Sequence, residues 1–345
     1  MKLDQSLQRI TVVFLALLLA GGSTALHAQS RAGAGASPQL KVPVGAQYLD
    51  GSGAAGGVTG IESVLWNPAG LDRGEGDIKV MASRREHLAD VGVNFLALGV
   101  GFEEAGTFAF HIRNFDIGEI QETNEFNMDG TGGTFEPTFV TVGLTYGLSL
   151  TDQIGVGITS NVTNESFANV SATNVTFDGG VQYRNFLTIE GLNIGVSVRN
   201  IGTPMQYGGS GLLNQAGSET TNRPPSQFEV VSADSDVPTT MDLSFEYSFL
   251  DGFQVQGTYS ENTYKPSELK GQLAYSFRDL LTVRGAYTQS LEDRGALESP
   301  YENRPSFGGT LNLEEAIGVP VSFDYAFVST QFFENNHILS LRGSF

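Results

Sequence analysis

Few residues of this chain have the types and spacing that covalent chemistry needs. Gly51-x-Gly53-x-x-Gly56 has the glycine spacing of a dinucleotide-binding turn. Such a turn works by seating a pyrophosphate on the first turn of a helix that follows a hydrophobic strand, with an acidic residue about twenty positions later. Here no hydrophobic strand precedes the glycines and no amphipathic helix follows them, so they read as a closely packing Gly/Ala segment. Beyond the first 28 residues the only histidines are His87, His111 and His337, and none stands at metal-ligand spacing from another His or a Glu. There is no Gly-x-Ser-x-Gly nucleophile elbow. No cofactor, metal or enzymatic activity is expected. Asn161-Val-Thr163, Asn164-Glu-Ser166, Asn169-Val-Ser171 and Asn174-Val-Thr176 match the glycosylation pattern but fit a polar hairpin with Asn/Ser/Thr turn chemistry.

Two groups remain that could position or touch something. His111 and Arg113 share the polar face of one strand pattern, and Arg199 lies on the polar face of another. These three are expected to line an interior, as ligand contacts or as solvated wall. The second group is Leu65-Trp66-Asn67-Pro68-Ala69-Gly70-Leu71. Asn67 is held extended by the proline after it, Pro68 fixes its own φ, and Gly70 reaches conformations closed to other residues. A low-freedom turn with an aromatic in front is suited to pinning the end of a folded segment.

The elements that would hold these residues are strands. Phe108, Phe110 and Ile112 alternate with Ala109, His111 and Arg113, and Val140, Val142, Leu144, Tyr146 and Leu148 alternate with Thr141, Gly143, Thr145 and Gly147. The same period of two runs through Val91/Val93/Phe95/Ala97, Leu192/Ile194/Val196/Val198, Met241/Leu243/Phe245/Tyr247/Phe249, Leu269/Gly271/Leu273/Tyr275/Phe277 and Leu339/Leu341/Gly343/Phe345. With weaker segments at 78–83, 170–183 and 307–313, about fourteen strands of about ten residues emerge, apolar residues out and polar residues or glycine in, which is the pattern of an outer-membrane β-barrel. Connection lengths agree. The even-numbered ones are short (103–106, 149–152, 184–190, 250–252, 278–279, 315–318), and the odd-numbered ones include every long polar insertion (114–137, 202–238, 291–304). Ending on a Phe after an alternating strand makes sense if that strand pairs with the first and closes the cylinder.

The chain has 345 residues, no cysteine, 43 glycines, 23 Phe and 11 Tyr against one Trp, and a net charge of −19. The acidic balance argues against nucleic-acid binding, which needs Lys/Arg patches. Lys2 and Arg9 followed by the apolar run Ile10–Ala20 and Leu26-His27-Ala28 read as a secretory signal cleaved after Ala28. The expected organisation is a signal at 1–28, an N-terminal plug or hatch at 29–75 and a transmembrane barrel at 76–345, in the outer membrane of a Gram-negative cell.

The order of Val44-Gly45-Ala46, the Gly-rich stretch, Trp66-Asn67-Pro68-Ala69-Gly70-Leu71, then 115–123, 147–152, 177–183 and 196–202 resembles the PorV/PorQ family of outer-membrane proteins, which are similar in fold to FadL-type transporters. The resemblance implies a fourteen-stranded barrel in which Trp66, Asn67, Pro68, Ala69 and Gly70 belong to an N-terminal hatch. Upstream, Gly60-Ile61-Glu62-Ser63 stands where the family commonly has an acidic pair. PorV-type function would mean receiving type IX secretion cargo by its C-terminal signal domain and delivering it to a cell-surface sortase, with translocon, sortase or cargo domains as partners beside outer-membrane lipid. The alternative is a FadL-like transporter of hydrophobic small molecules. The inner faces, mostly Gly, Thr, Ser, Asn and charged, favour protein recognition.

Overall fold

The computed structural model describes residues 35–216, 226–278, 280–291, 303–314, 318–330 and 334–345. The expected signal segment, and parts of the connections at 202–238, 278–279, 291–304 and 315–318, lie outside the described residues.

Fourteen antiparallel strands form a closed barrel. The first seven are β1 (Ile78–Glu86), β2 (Gly92–Gly101), β3 (Thr107–Asp116), β6 (Thr138–Ser149), β7 (Ile154–Phe167), β8 (Val170–Tyr183) and β9 (Leu192–Gly202). The others are β12 (Thr240–Leu250), β13 (Phe253–Asn262), β14 (Glu268–Phe277), β15 (Leu281–Ser290), β16 (Arg304–Asn312), β17 (Val321–Val328) and β18 (Asn336–Ser344). Two short hairpins stand in the long connections: β4 (Ile120–Gln121) with β5 (Thr134–Phe135), and β10 (Leu213–Ala216) with β11 (Ser226–Glu229). Among the described residues no helix is long and apolar enough to cross a membrane.

The last strand closes the cylinder as its pattern requires. β18 pairs with β1 from Lys79↔Ser344 to Glu86↔His337, and the main chain of Phe345 exchanges two hydrogen bonds with Ile78, at 2.9 and 2.8 Å. No barrel edge is left with unpaired amides, which a lipid environment demands. Outward positions carry an exposed apolar belt, for example Leu96, Leu144, Leu273 and Leu339, while the residues between them are buried. The rim at Ile78 and Phe345 has the short turns, and the opposite rim has the long loops. In outer-membrane barrels these are the periplasmic and extracellular sides.

β2 departs from the outward reading of its apolar residues. Val93, Phe95 and Ala97 point inward and are buried, and Leu96, Leu98 and Val100 point outward. Both faces of this strand are apolar, so alternation alone could not say which faced lipid. The assignment comes from what lies inside the barrel.

Residues 35–77 fill that interior. They form short turns rather than long helices: 3-10 turns at Pro38–Lys41, Leu49–Gly51, Gly60–Glu62 and Pro68–Gly70, and single α-turns at Ala54–Gly57 and Ser63–Trp66. The path starts at the loop rim, where Ala36 N donates to Asp236 O (2.9 Å), and reaches the short-turn rim, where Lys79 Nζ donates to Leu71 O (3.2 Å).

Candidate functional site

The Asn67-Pro68-Ala69-Gly70 turn is locked from both sides. Asn67 is extended (φ −154°, ψ 107°), and its Oδ1 accepts from Ala69 N at 3.1 Å, capping the turn. Its Nδ2 donates to Ala55 O at 2.7 Å and points at the main-chain carbonyls of Val181 and Val196 on β8 and β9 (3.3 and 3.4 Å). Asn67 is fully buried, so this amide ties the turn to an earlier part of the plug and to the barrel wall.

The wall is shaped to receive that turn. A Cβ on Gly157 would overlap Pro68, one on Gly180 would overlap the Asn67 side chain, and one on Gly147 would press on Leu71 and the Pro68 carbonyl. Gly195 makes the same allowance for Ala55. Gly147, Gly157 and Gly180 stand directly opposite one another across β6, β7 and β8, and these inward glycines are places where another backbone comes close. In the sequence they look like ordinary polar-face positions. The signal that could have found them is the concentration of inward glycines on β6 to β9 in a chain that also carries a backbone-dense Asn-Pro-Ala-Gly turn.

Arg199 on β9 reaches the same segment. Its Nη1 donates to Leu65 O at 3.1 Å, its Nη2 pairs with Asp242 at 2.6 Å, and its guanidinium carbon lies 5.3 Å from the centre of the Trp66 ring. Trp66 packs with Tyr48, Ala54 and Val58. Arg113 lies on the inner wall within electrostatic reach of Asp178 and Arg199. Asp178 sits where the β8/β9 register shifts, accepting from Asn200 N (2.6 Å) and Asn161 Nδ2 (2.9 Å). His111 is buried, its ring 5.7 Å from that of Phe95, in space that Gly143 leaves open. Among the described residues no group of three or more His, Cys, Asp or Glu could hold a metal.

Two further sets of interior residues escaped the sequence reading. The first is polar and lies on β12 to β18. Gly53 N donates to Thr258 Oγ1 (2.7 Å), Gly56 N to Ser244 Oγ (2.5 Å) and Leu49 N to Gln272 Oε1 (3.1 Å). Asp50 pairs with Arg304 at 2.7 Å, and Lys270 Nζ donates to the Asp50 carbonyl at 2.8 Å. Burial alone would raise the Asp50 carboxyl, but the charge and hydrogen bond of Arg304 hold it well below the usual range. Deeper in, Arg342 grips Asp324 with two hydrogen bonds (2.7 and 2.9 Å), and Glu62 lies 3.8 Å from Arg342 Nε. Glu62 is fully buried, with the Trp66 indole N–H and Arg342 as the donors facing its carboxylate. Burial pushes it up to about 7, with Arg342 opposing and Asp324 assisting.

The second set is apolar. Val44, Ile61, Val64 and Leu71 of the plug pack against Met81, Val93, Phe95, Ala97, Ala109 and Phe115 of β1 to β3. Val42, Val91, Ile117 and Phe139 extend this contact to the loop rim. An apolar seam therefore runs between plug and wall from Leu71 at the short-turn rim upward, most fully along β2 and β3. It is flanked on β1 by Lys79, Ser83 and Arg85, which donate to the carbonyls of Leu71, Val44 and Pro43.

No family profile matches the chain, and no curated protein matches it by sequence. Solved structures do match. The CymD monoaromatic hydrocarbon channel superposes with a TM-score of 0.56 at 13% identity, over 88% of this chain and 98% of that one. A FadL homologue of Pseudomonas aeruginosa gives 0.53 at 12% identity, over 88% and 98%. The toluene transporter TodX of Pseudomonas putida gives 0.53 at 11% identity, over 86% and 96%. The chain has the fold of these outer-membrane channels.

Proposed function

We propose that this protein is a non-enzymatic outer-membrane channel for small hydrophobic molecules, which pass between plug and wall along β1 to β3. The apolar seam is the observation that carries this reading. An apolar solute can replace an apolar side-chain contact at little cost, because the hydrophobic effect has no direction. The fold shared with channels described as carrying monoaromatic hydrocarbons and toluene supports it. Trp66 to Gly70 are then hatch residues that hold the lower end of the plug while the seam yields. The test is uptake of a radiolabelled monoaromatic by cells that depend on this protein. Val93→Thr puts a hydroxyl without a partner into the seam, at about 1–3 kcal/mol, and is expected to slow uptake roughly tenfold with the barrel intact. Unchanged uptake would overturn the reading.

This reverses the order favoured by the sequence, whose inner faces looked mostly polar. Type IX cargo delivery of the PorV/PorQ kind stands as a second reading, and one observation favours it. The hairpin loop between β3 and β6 carries Phe126 and Met128 at 85% and 83% exposure among Glu119, Glu122, Glu125 and Asp129, with no Lys or Arg. Removing 119–135 is expected to abolish surface display of cargo if this reading holds, and unchanged display would dismiss it. The loop after β9 is less suited to such a deletion. Its own Met205 is buried, its Tyr207 bonds Glu165, and Ser37 and Gln39 of the plug bond the same carboxylate.

A further inference from the structure

Outside the lumen the wall carries a polar groove at the seam of β1 and β18. Its volume is about 460 Å³, within the roughly 300–1,000 Å³ of small-molecule sites. Its polar lining is Arg84, Glu86, His87, Glu334, Asn335 and His337, and Val91 and Gly92 complete it. Alternation decides which way it opens. Ser83 and Arg85 are buried and inward, so Arg84 and Glu86 point outward, and the buried Asn336 and Ile338 bracket an outward His337. The groove is therefore on the lipid-facing side, at the loop rim. Below it on the same face the apolar belt begins with Leu96, Leu98, Leu339 and Leu341, all exposed.

The lining is organised. Arg84 Nη1 donates to Asn94 Oδ1 at 3.0 Å, His337 Nδ1 lies 2.8 Å from the Tyr325 hydroxyl, and the His337 ring is 5.6 Å from that of Phe327. One guanidinium faces two carboxylates. Burial and the Arg85 charge bring His87 down to about 4, leaving its imidazole neutral near pH 7. A bare anion such as phosphate would meet a net negative lining. Neighbouring hydroxyl groups fit better, since each can donate to a carboxylate or amide oxygen and accept from a guanidinium, amide or imidazole N–H.

We infer that this groove binds the sugar headgroup of an outer-leaflet glycolipid, with the acyl chains lying on the belt beneath it. Free sugar shares the headgroup chemistry but cannot use the belt, which separates the two sources. The test places the full chain in phosphatidylcholine nanodiscs containing a minor fraction of glucosyl-diacylglycerol and follows the lipids retained by native mass spectrometry. Retention of the glycolipid about tenfold above its share of the bilayer is expected, falling severalfold in Arg84→Gln and in Glu334→Gln. The second variant leaves the sheet untouched, so a fold defect in the first does not decide the matter. Retention equal to the bulk share would overturn the site. Complete displacement by millimolar free maltose would overturn the lipid assignment.

Discussion

On the side of β1 to β3 the plug meets the wall mainly through Ile61, Val64 and Leu71 against Met81, Val93 and Phe95, whereas on the side of β12 to β18 it meets the wall mainly through Asp50, Glu62 and the main-chain amides of Leu49, Gly53 and Gly56, beside a small apolar patch of Ala46 and Leu49 against Ala286, Ala326, Val328 and Ile338. The two interfaces resist displacement differently. A buried ion pair or amide hydrogen bond leaves an unsatisfied group when it opens, and nothing apolar can take the vacated place. An apolar contact can be taken over by any apolar molecule of suitable size. The polar side thus fixes the plug, and the apolar side is where it can give way.

The largest effect is expected from Arg342→Leu. It takes from Asp324 and Glu62, both fully buried, the cation that contacts them and leaves only the more distant Arg284, at about 3–5 kcal/mol, read by urea unfolding of the barrel in phospholipid vesicles. A loss below about 1 kcal/mol would remove the polar side as the anchor.

Titration sharpens the same point. Burial raises Glu62 in the fold to about 7 from an ordinary 4.5. Its contribution is therefore fully present below about pH 4.5 and is lost as pH rises through about 7. The loss is on the order of 3 kcal/mol. Glu62→Gln cannot ionise and should flatten that part of the stability profile. An unaltered profile in this variant would assign the pH dependence elsewhere.

Gly157→Val tests the seat of the turn. It overlaps Pro68 and should cost about 1–3 kcal/mol, with protease cleavage appearing between residues 54 and 70 as the turn lifts. A fully protected plug would show that the wall yields instead. The smallest effect is expected at the seam. Ile61→Val should cost only about 0.5–1.5 kcal/mol yet increase monoaromatic uptake, since it widens the apolar contact. Slower uptake would place the route on the other side of the plug.

Much of this was legible in the residues. The fourteen strands, the division of short and long connections between rims, and the closure by Phe345 follow from a period of two sustained over many segments. The interior site was only partly legible. Asn67 and Pro68 stood out because proline and the residue before it have few conformations, and Arg199 stood out as a charge on an inward face. Gly157, Gly180 and Gly195 did not, since their meaning depends on which backbone comes opposite. Glu62 and Arg342, 280 positions apart in the chain, meet only because the first and last strands close.

Local sequence by itself determined the barrel, because side-chain alternation is a property of each strand and needs no partner to be read. Tertiary structure alone decided which face of β2 looks inward, where the plug is anchored and where it can yield. Val93, Phe95 and Ala97 sit on a strand with two apolar faces, and the face that turns inward is the one that Ile61, Val64 and Leu71 cover. That is a contact between distant segments, which no local pattern encodes.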